Sequence, residues 1–111
     1  MEIESNIIEK IIKNLNTEFS EQYGDFKGIY LFGSRARGDF NEHSDYDLVL
    51  LFESPKIRKI KNILRNRIYD FEIEYLMKID THFGCTNDIN SPRSPFFDNV
   101  RKEGIFFESG R

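Results

Sequence analysis

A chain of 111 residues has room for one compact core, and its formal charge of -3, from 16 basic and 19 acidic side chains, gives no bulk attraction for nucleic acid, so phosphate chemistry would have to be local. The lone cysteine, Cys85, excludes an internal disulfide, a paired-cysteine zinc site and a CxxC redox pair. With no signal-like leader and no apolar run of bilayer length, a single domain, soluble and cytoplasmic, is expected; 11 Phe residues argue for a packed core over disorder.

In chain order, Ile3, Ile7, Ile8, Ile11, Ile12, Leu15 and Phe19 recur at helical spacing and predict a long amphipathic helix ended by Gly24-Asp25. Gly28 to Phe32 reads as a buried strand stopped by Gly33-Ser34, where the chain can turn sharply and Ser34 can cap a short helix. After a polar loop, Leu48 to Phe52 is apolar on both faces and so a central strand, with Asp45 and Asp47 at its entrance. Ser54-Pro55 has the form of a helix start, with Ile57, Ile60, Ile63 and Leu64 facing inward to about Asn66.

From Ile68 to Ile79, apolar Tyr69, Phe71, Ile73 and Tyr75 alternate with acidic Asp70, Glu72 and Glu74, the period of a strand with one acidic face. Asp80 to Pro92 lacks periodicity and reads as a loop. Ser94-Pro95 starts a last helix closed by Gly104. The expected order is α-β-α-β-α-β-α: an α/β (α+β) chain with a small mixed sheet of three to four strands flanked by helices.

The chemistry concentrates between Gly33 and Leu48. Gly33-Ser34 is followed, after ten residues, by Asp45-x-Asp47. Residues i and i+2 of a strand share a face about 6 to 7 Å apart, so both carboxylates can address one cation, and hard oxygen ligands suit Mg²⁺, which keeps waters and takes further ligands from phosphates. Gly33 lets a phosphate approach the backbone, a helix N-terminus attracts anions, and the Ser34 hydroxyl adds a donor. Arg35 and Arg37 stand where guanidinium groups could steady phosphates, a role ranked below that of Ser34.

This segment resembles the nucleotidyltransferase superfamily of the DNA polymerase β type, and most closely its minimal members, whose signature is Gly-Ser, ten residues, then Asp-x-Asp. Gly33-Ser-Arg-Ala-Arg-Gly38, Ser44-Asp-Tyr-Asp-Leu48 and the closing Ser94 to Gly104 stretch are also similar to the family. The resemblance implies the nucleotidyltransferase fold and a third carboxylate on a later strand. Glu74, in Ile73-Glu-Tyr-Leu, is the choice for it, with Glu72 as the alternative of the same parity.

It further implies transfer of a nucleoside monophosphate, AMP from ATP foremost, onto a hydroxyl, with one or two Mg²⁺ ions on Asp45, Asp47 and Glu74 and the triphosphate on Gly33, Ser34, Arg35 and Arg37. The chain leaves no room for an acceptor domain, so a partner would supply the hydroxyl. The resemblance suggests a tyrosine of a HEPN-domain toxin, silenced by its antitoxin. The alternative is a catalytically weak module of the same fold that holds nucleotide or neutralises a partner.

The remaining features have plainer readings. His43 and His82 belong to no ligand-spaced cluster and are expected at the surface, and Cys85, in a loop, has no catalytic role. Lys56, Arg58, Lys59, Lys61, Arg65 and Arg67 form the wet side of the third helix. Phe96, Phe97, Phe106 and Phe107 are assigned to the core, exposed members marking contact in a homo-oligomer.

Overall fold

The computed structural model describes residues 2–54 and 58–110. Helix α1 (Glu2–Gln22) realises the first stripe: Ile8, Ile11, Ile12, Leu15 and Phe19 are buried. Strand β1 (Phe26–Phe32) runs directly into helix α2 (Ser34–Arg37), and strand β2 (Tyr46–Phe52) follows. All of β2 except Asp47 is buried, because β2 lies inside a four-stranded sheet, between β1 and a strand β3 (Ile79–Cys85), with β4 (Ile105–Glu108) beyond β1, and is covered on both faces. One core cluster joins α1 and helix α3 (Lys61–Tyr75) to Leu48, Leu50 and Phe52; on the opposite face Val49 and Leu51 pack with Ile89 and Val100.

The third helix is where the structure departs from the expected order. Pro55, Lys56 and Ile57 of the expected helix start lie outside the described residues. Past them, a short 3-10 turn (Arg58–Ile60) leads into α3 (Lys61–Tyr75), with Ile60 rather than Ser54 at its N-cap. The segment expected as a strand from Ile68 is therefore helix. Leu64, Ile68 and Phe71 are buried at spacings of four and three, a helical period coexisting with the period-two alternation. Tyr69 and Ile73, each 58% exposed, supplied the misleading half of the pattern. The third strand, β3 (Ile79–Cys85), and helix α4 (Thr86–Ile89) occupy the expected loop, so Cys85 ends a strand and is buried.

Helix α5 (Pro95–Glu103) forms as expected, with the Ser94 hydroxyl accepting from the Phe97 N–H at 3.2 Å. Beyond Gly104, strand β4 (Ile105–Glu108) adds antiparallel to β1. Asn16 of α1 fixes it there by donating its Nδ2 to the Phe107 and Glu108 carbonyls at 3.1 and 3.2 Å. Of the Phe residues assigned to the core, Phe97 and Phe107 pack inward, whereas Phe96 and Phe106 are 37% and 39% exposed.

Leu76 ends α3 in the left-handed region (φ 52), donating its N–H to the Glu72 carbonyl while its side chain is 92% exposed. A β-carbon is disfavoured in that conformation and glycine is not. Leu76→Gly is expected to stabilise the fold by about 0.5–1 kcal/mol, read from the urea midpoint at unchanged m-value.

Candidate active site

The site is assembled by strand register. Phe32 of β1 is paired with Asp47 of β2, and Asp47 with Asp80 of β3 in the parallel ladder, so one row crosses three strands. Partners in a row share a face, which brings the Asp47 and Asp80 carboxylates together, and His82, two residues on, lies on that face too. Ligand atoms of Asp47, Asp80 and His82 all lie within 4.8 Å of one another. The ring of His82 also meets those of Phe32 and Phe96, at 5.5 and 5.0 Å between centroids.

The carboxylate that the structure places beside Asp47 is Asp80, not Glu74 or Glu72, where the third acid was expected. Both sit on α3. Glu74 is exposed beside α1 residues, and Glu72 accepts the Ile79 N–H through Oε2 at 3.1 Å. Neither converges on Asp47, because a helix, not a strand, carries them. His82 is likewise corrected from a bystander to a member of the group, its Nε2 3.0 Å from Asp80 Oδ2. His43 is exposed, as expected.

Asp45 stands two residues before Asp47, outside the group of three but close enough for its charge to act on Asp47. The Asp47 pKa is raised above the ordinary carboxylate value, first by burial and then by the negative charge of Asp80; His82 and Arg37 oppose the rise. The site thus holds more negative charge than it neutralises itself. Two converging carboxylates with a third nearby make a donor set that fits a hard divalent cation, with Nε2 of His82 holding one Asp80 oxygen.

Gly33 adopts φ 75 and ψ -157 at the N-cap of α2, and a β-carbon there would collide with Oδ2 of Asp47. The glycine lets the turn and the carboxylate occupy neighbouring space. Ser34 is the first helical residue and makes no cap bond, correcting the expectation that it caps the helix. The first N–H groups of a helix have no intrahelical acceptor, so the turn presents donors beside the carboxylates.

Arg35, expected to steady phosphates, is held among residues of the loop that follows α2. Its guanidinium lies between the rings of Phe40 and Tyr46, 4.2 and 4.3 Å from their centroids, and donates from Nε and Nη2 to the Ser44 carbonyl. It thereby fastens the loop that delivers Asp45. Arg37 pairs with Asp39 and Glu103 at the surface, 3.2 and 3.3 Å away.

Comparison with known proteins gives these positions a setting. The family model of the nucleotidyltransferase domain matches residues 12–106. A Methanocaldococcus jannaschii protein named "Putative protein adenylyltransferase" is 28% identical over 100 residues, which cover 89% of this chain and 93% of that protein. A second protein so named from the same organism is 35% identical over 78 residues, 64% of this chain and 53% of the relative. Among solved structures, a "putative nucleotidyltransferase" from Sulfolobus solfataricus superposes with a TM-score of 0.53 at 22% identity, over 88% of this chain and 77% of that one. A structure described as "the toxin-antitoxin with AMP-PNP" gives 0.58 at 18% identity, over 85% and 70%. At such identities the structural likeness speaks for the fold.

Proposed function

The chain belongs to the nucleotidyltransferase domain family, and from that premise we propose that it transfers AMP from ATP to a hydroxyl on a partner protein, a tyrosine of a HEPN-domain toxin foremost. The observation that carries this reading is the convergence of Asp47 and Asp80 beside the Gly33 turn. It is supported by relatives named for protein adenylylation and by a structural neighbour from a toxin–antitoxin complex with an ATP analogue. Against the alternative of a weak module that only holds nucleotide stands the Asp47–Asp80 pair, which offers two converging carboxylates to a metal.

Asp45, Asp47 and Asp80 would hold one or two Mg²⁺ ions. Bound there, the metal supplies neutralisation of phosphate charge and acidification of the attacking hydroxyl. The chain's own residues do the rest. Backbone N–H groups of Ser34 and Arg35 and the Ser34 hydroxyl receive the phosphates. The acceptor oxygen then attacks the α-phosphorus in line, its bond forming as the bond to pyrophosphate breaks. Asp80, oriented by His82, takes the proton of that hydroxyl.

The test is to incubate the chain with α-labelled ATP, Mg²⁺ and the product of the adjacent gene. Label is expected on the partner and pyrophosphate in solution; label that fails to move, or moves equally with Asp47→Ala, would falsify the reading. Gly33→Ala, which drives a β-carbon into the Asp47 carboxylate at a positive φ, is expected to cost about 1–3 kcal/mol of stability. It should also lower kcat about 100-fold by displacing that carboxylate, as melting curves and initial rates will report.

A further inference from the structure

Strand β3 lies at the edge of the sheet. In a parallel ladder the N–H and C=O of one residue point to the same side, and residues alternate between sides. The Lys78 carbonyl accepts from the Tyr46 N–H at 2.9 Å, so the even-numbered residues face β2, and Ile79, Thr81, Phe83 and Cys85 face outward. The chain itself closes both ends of this outward row. Glu72 accepts the Ile79 N–H at 3.1 Å, and Asp88 accepts the Cys85 N–H at 3.0 Å. Between them, the N–H groups of Thr81 and Phe83 have no partner among the described residues.

This open window is flanked by unneutralised cations. Lys61 and Arg65 of α3 reach over the Phe83 ring, 5.4 and 5.0 Å from its centroid, and neither has a carboxylate partner among the described residues, in contrast to Arg67, which pairs with Glu18 at 2.8 Å. Arg65, Asn66, Tyr69 and Glu72 line a groove of about 380 Å³ that also touches Ile79, Asp80 and Thr81. A bare strand edge is a liability that proteins ordinarily cover. Here it is narrowed to two donors on the strand that carries Asp80, with Lys61 and Arg65 beside them and the carboxylates of Glu72 and Asp88 already engaged on the end amides.

We propose that the open edge of β3 receives an extended, acidic polypeptide segment, which pairs with Thr81 and Phe83 and brings its own hydroxyl to Asp80. This rests on the transferase reading and specifies its acceptor. A phosphate backbone could meet the cations but could not supply the alternating C=O and N–H groups that pair with a strand. The added strand must also obey the two-residue period. Asp80 shares a face with Asp47 on the α5 side, whereas Lys61 and Arg65 cover the opposite face. The acceptor hydroxyl and the acidic residues therefore stand an odd number of positions apart.

Two short synthetic peptides of equal composition test this, each with one tyrosine in a Val/Gln background that carries no other hydroxyl. One carries glutamates one and three positions from the tyrosine, the other two and four positions away. With the full chain and Mg²⁺-ATP, the odd-spaced peptide is expected to slow amide exchange at Thr81 and Phe83 and to be the better acceptor. Lys61→Glu with Arg65→Glu, both surface changes, should raise its KM roughly tenfold with kcat and the KM for ATP unmoved.

Equal behaviour of the two peptides, unprotected Thr81 and Phe83 amides, or an unchanged KM overturns the proposal, as does a dimer that buries the same amides. The two readings fail separately. Protection of the edge without transfer to any acceptor counts against the transferase and not against the docking. Transfer to the partner with the edge unprotected does the reverse.

Discussion

Asp80→Asn is expected to reduce AMP transfer at least about 100-fold in kcat, while Glu74→Gln leaves it within about twofold. The contrast separates the structural assignment of the third carboxylate from the one that alternation suggests. Asp80 shares a ladder row with Asp47 and lies within reach of a common ion; Glu74 lies on α3, on the side that faces α1. Asparagine keeps the size of the side chain, and its carbonyl oxygen can still meet His82, so far-ultraviolet circular dichroism should remain native. Initial rates with α-labelled ATP measure the loss. A Glu74→Gln defect as large as that of Asp80→Asn would return the role to the helix.

Asp47→Asn is expected to lose activity about 1000-fold and yet to melt higher than the parent in the absence of divalent ions. The folded Asp47 binds its proton more tightly than the unfolded one, because burial and Asp80 both disfavour its charge. The stability gained from that proton is complete below the unfolded pKa and is lost as pH rises through the raised folded value. Above that window the native carboxylate is a cost that asparagine does not carry. Melting in chelator should therefore show the variant ahead at neutral pH and the difference closing in acid. Added Mg²⁺ should raise the parent's melting temperature more than the variant's, since a ligand stabilises only the state that binds it. A variant that melts below the parent throughout would refute this account.

What could be read from the sequence was local. The α1 stripe, the Gly33-Ser34 turn and the two-sided apolar run of β2 each depend on neighbours a few positions away, and each took the expected form apart from the cap. The place of Asp47 at the start of β2 was legible for the same reason. Asp80 and His82 were not, because what joins them to Asp47 is the parallel pairing of β3 with β2, a contact across more than thirty positions. The stretch after Ile68 carried two periods at once, and helix length was the better arbiter: the inward series Leu64, Ile68, Phe71 continues unbroken from the α3 start, with no Gly or Pro between. Ile79-Asp80-Thr81, an acid after an apolar residue just past a helix end, was the available signal for the third carboxylate. β4 was missed because it is four residues long and gains its place from Asn16 and β1, not from its own pattern.

Asp47 interrupts a strand whose every other side chain is buried, with Leu48, Leu50 and Phe52 on one face and Val49 and Leu51 on the other. A slip of one position would push that carboxylate among the leucines and turn a leucine toward the phosphates. Correct assembly and correct aim are thus a single event, and a mispaired chain fails altogether rather than surviving as a native-looking but blind protein.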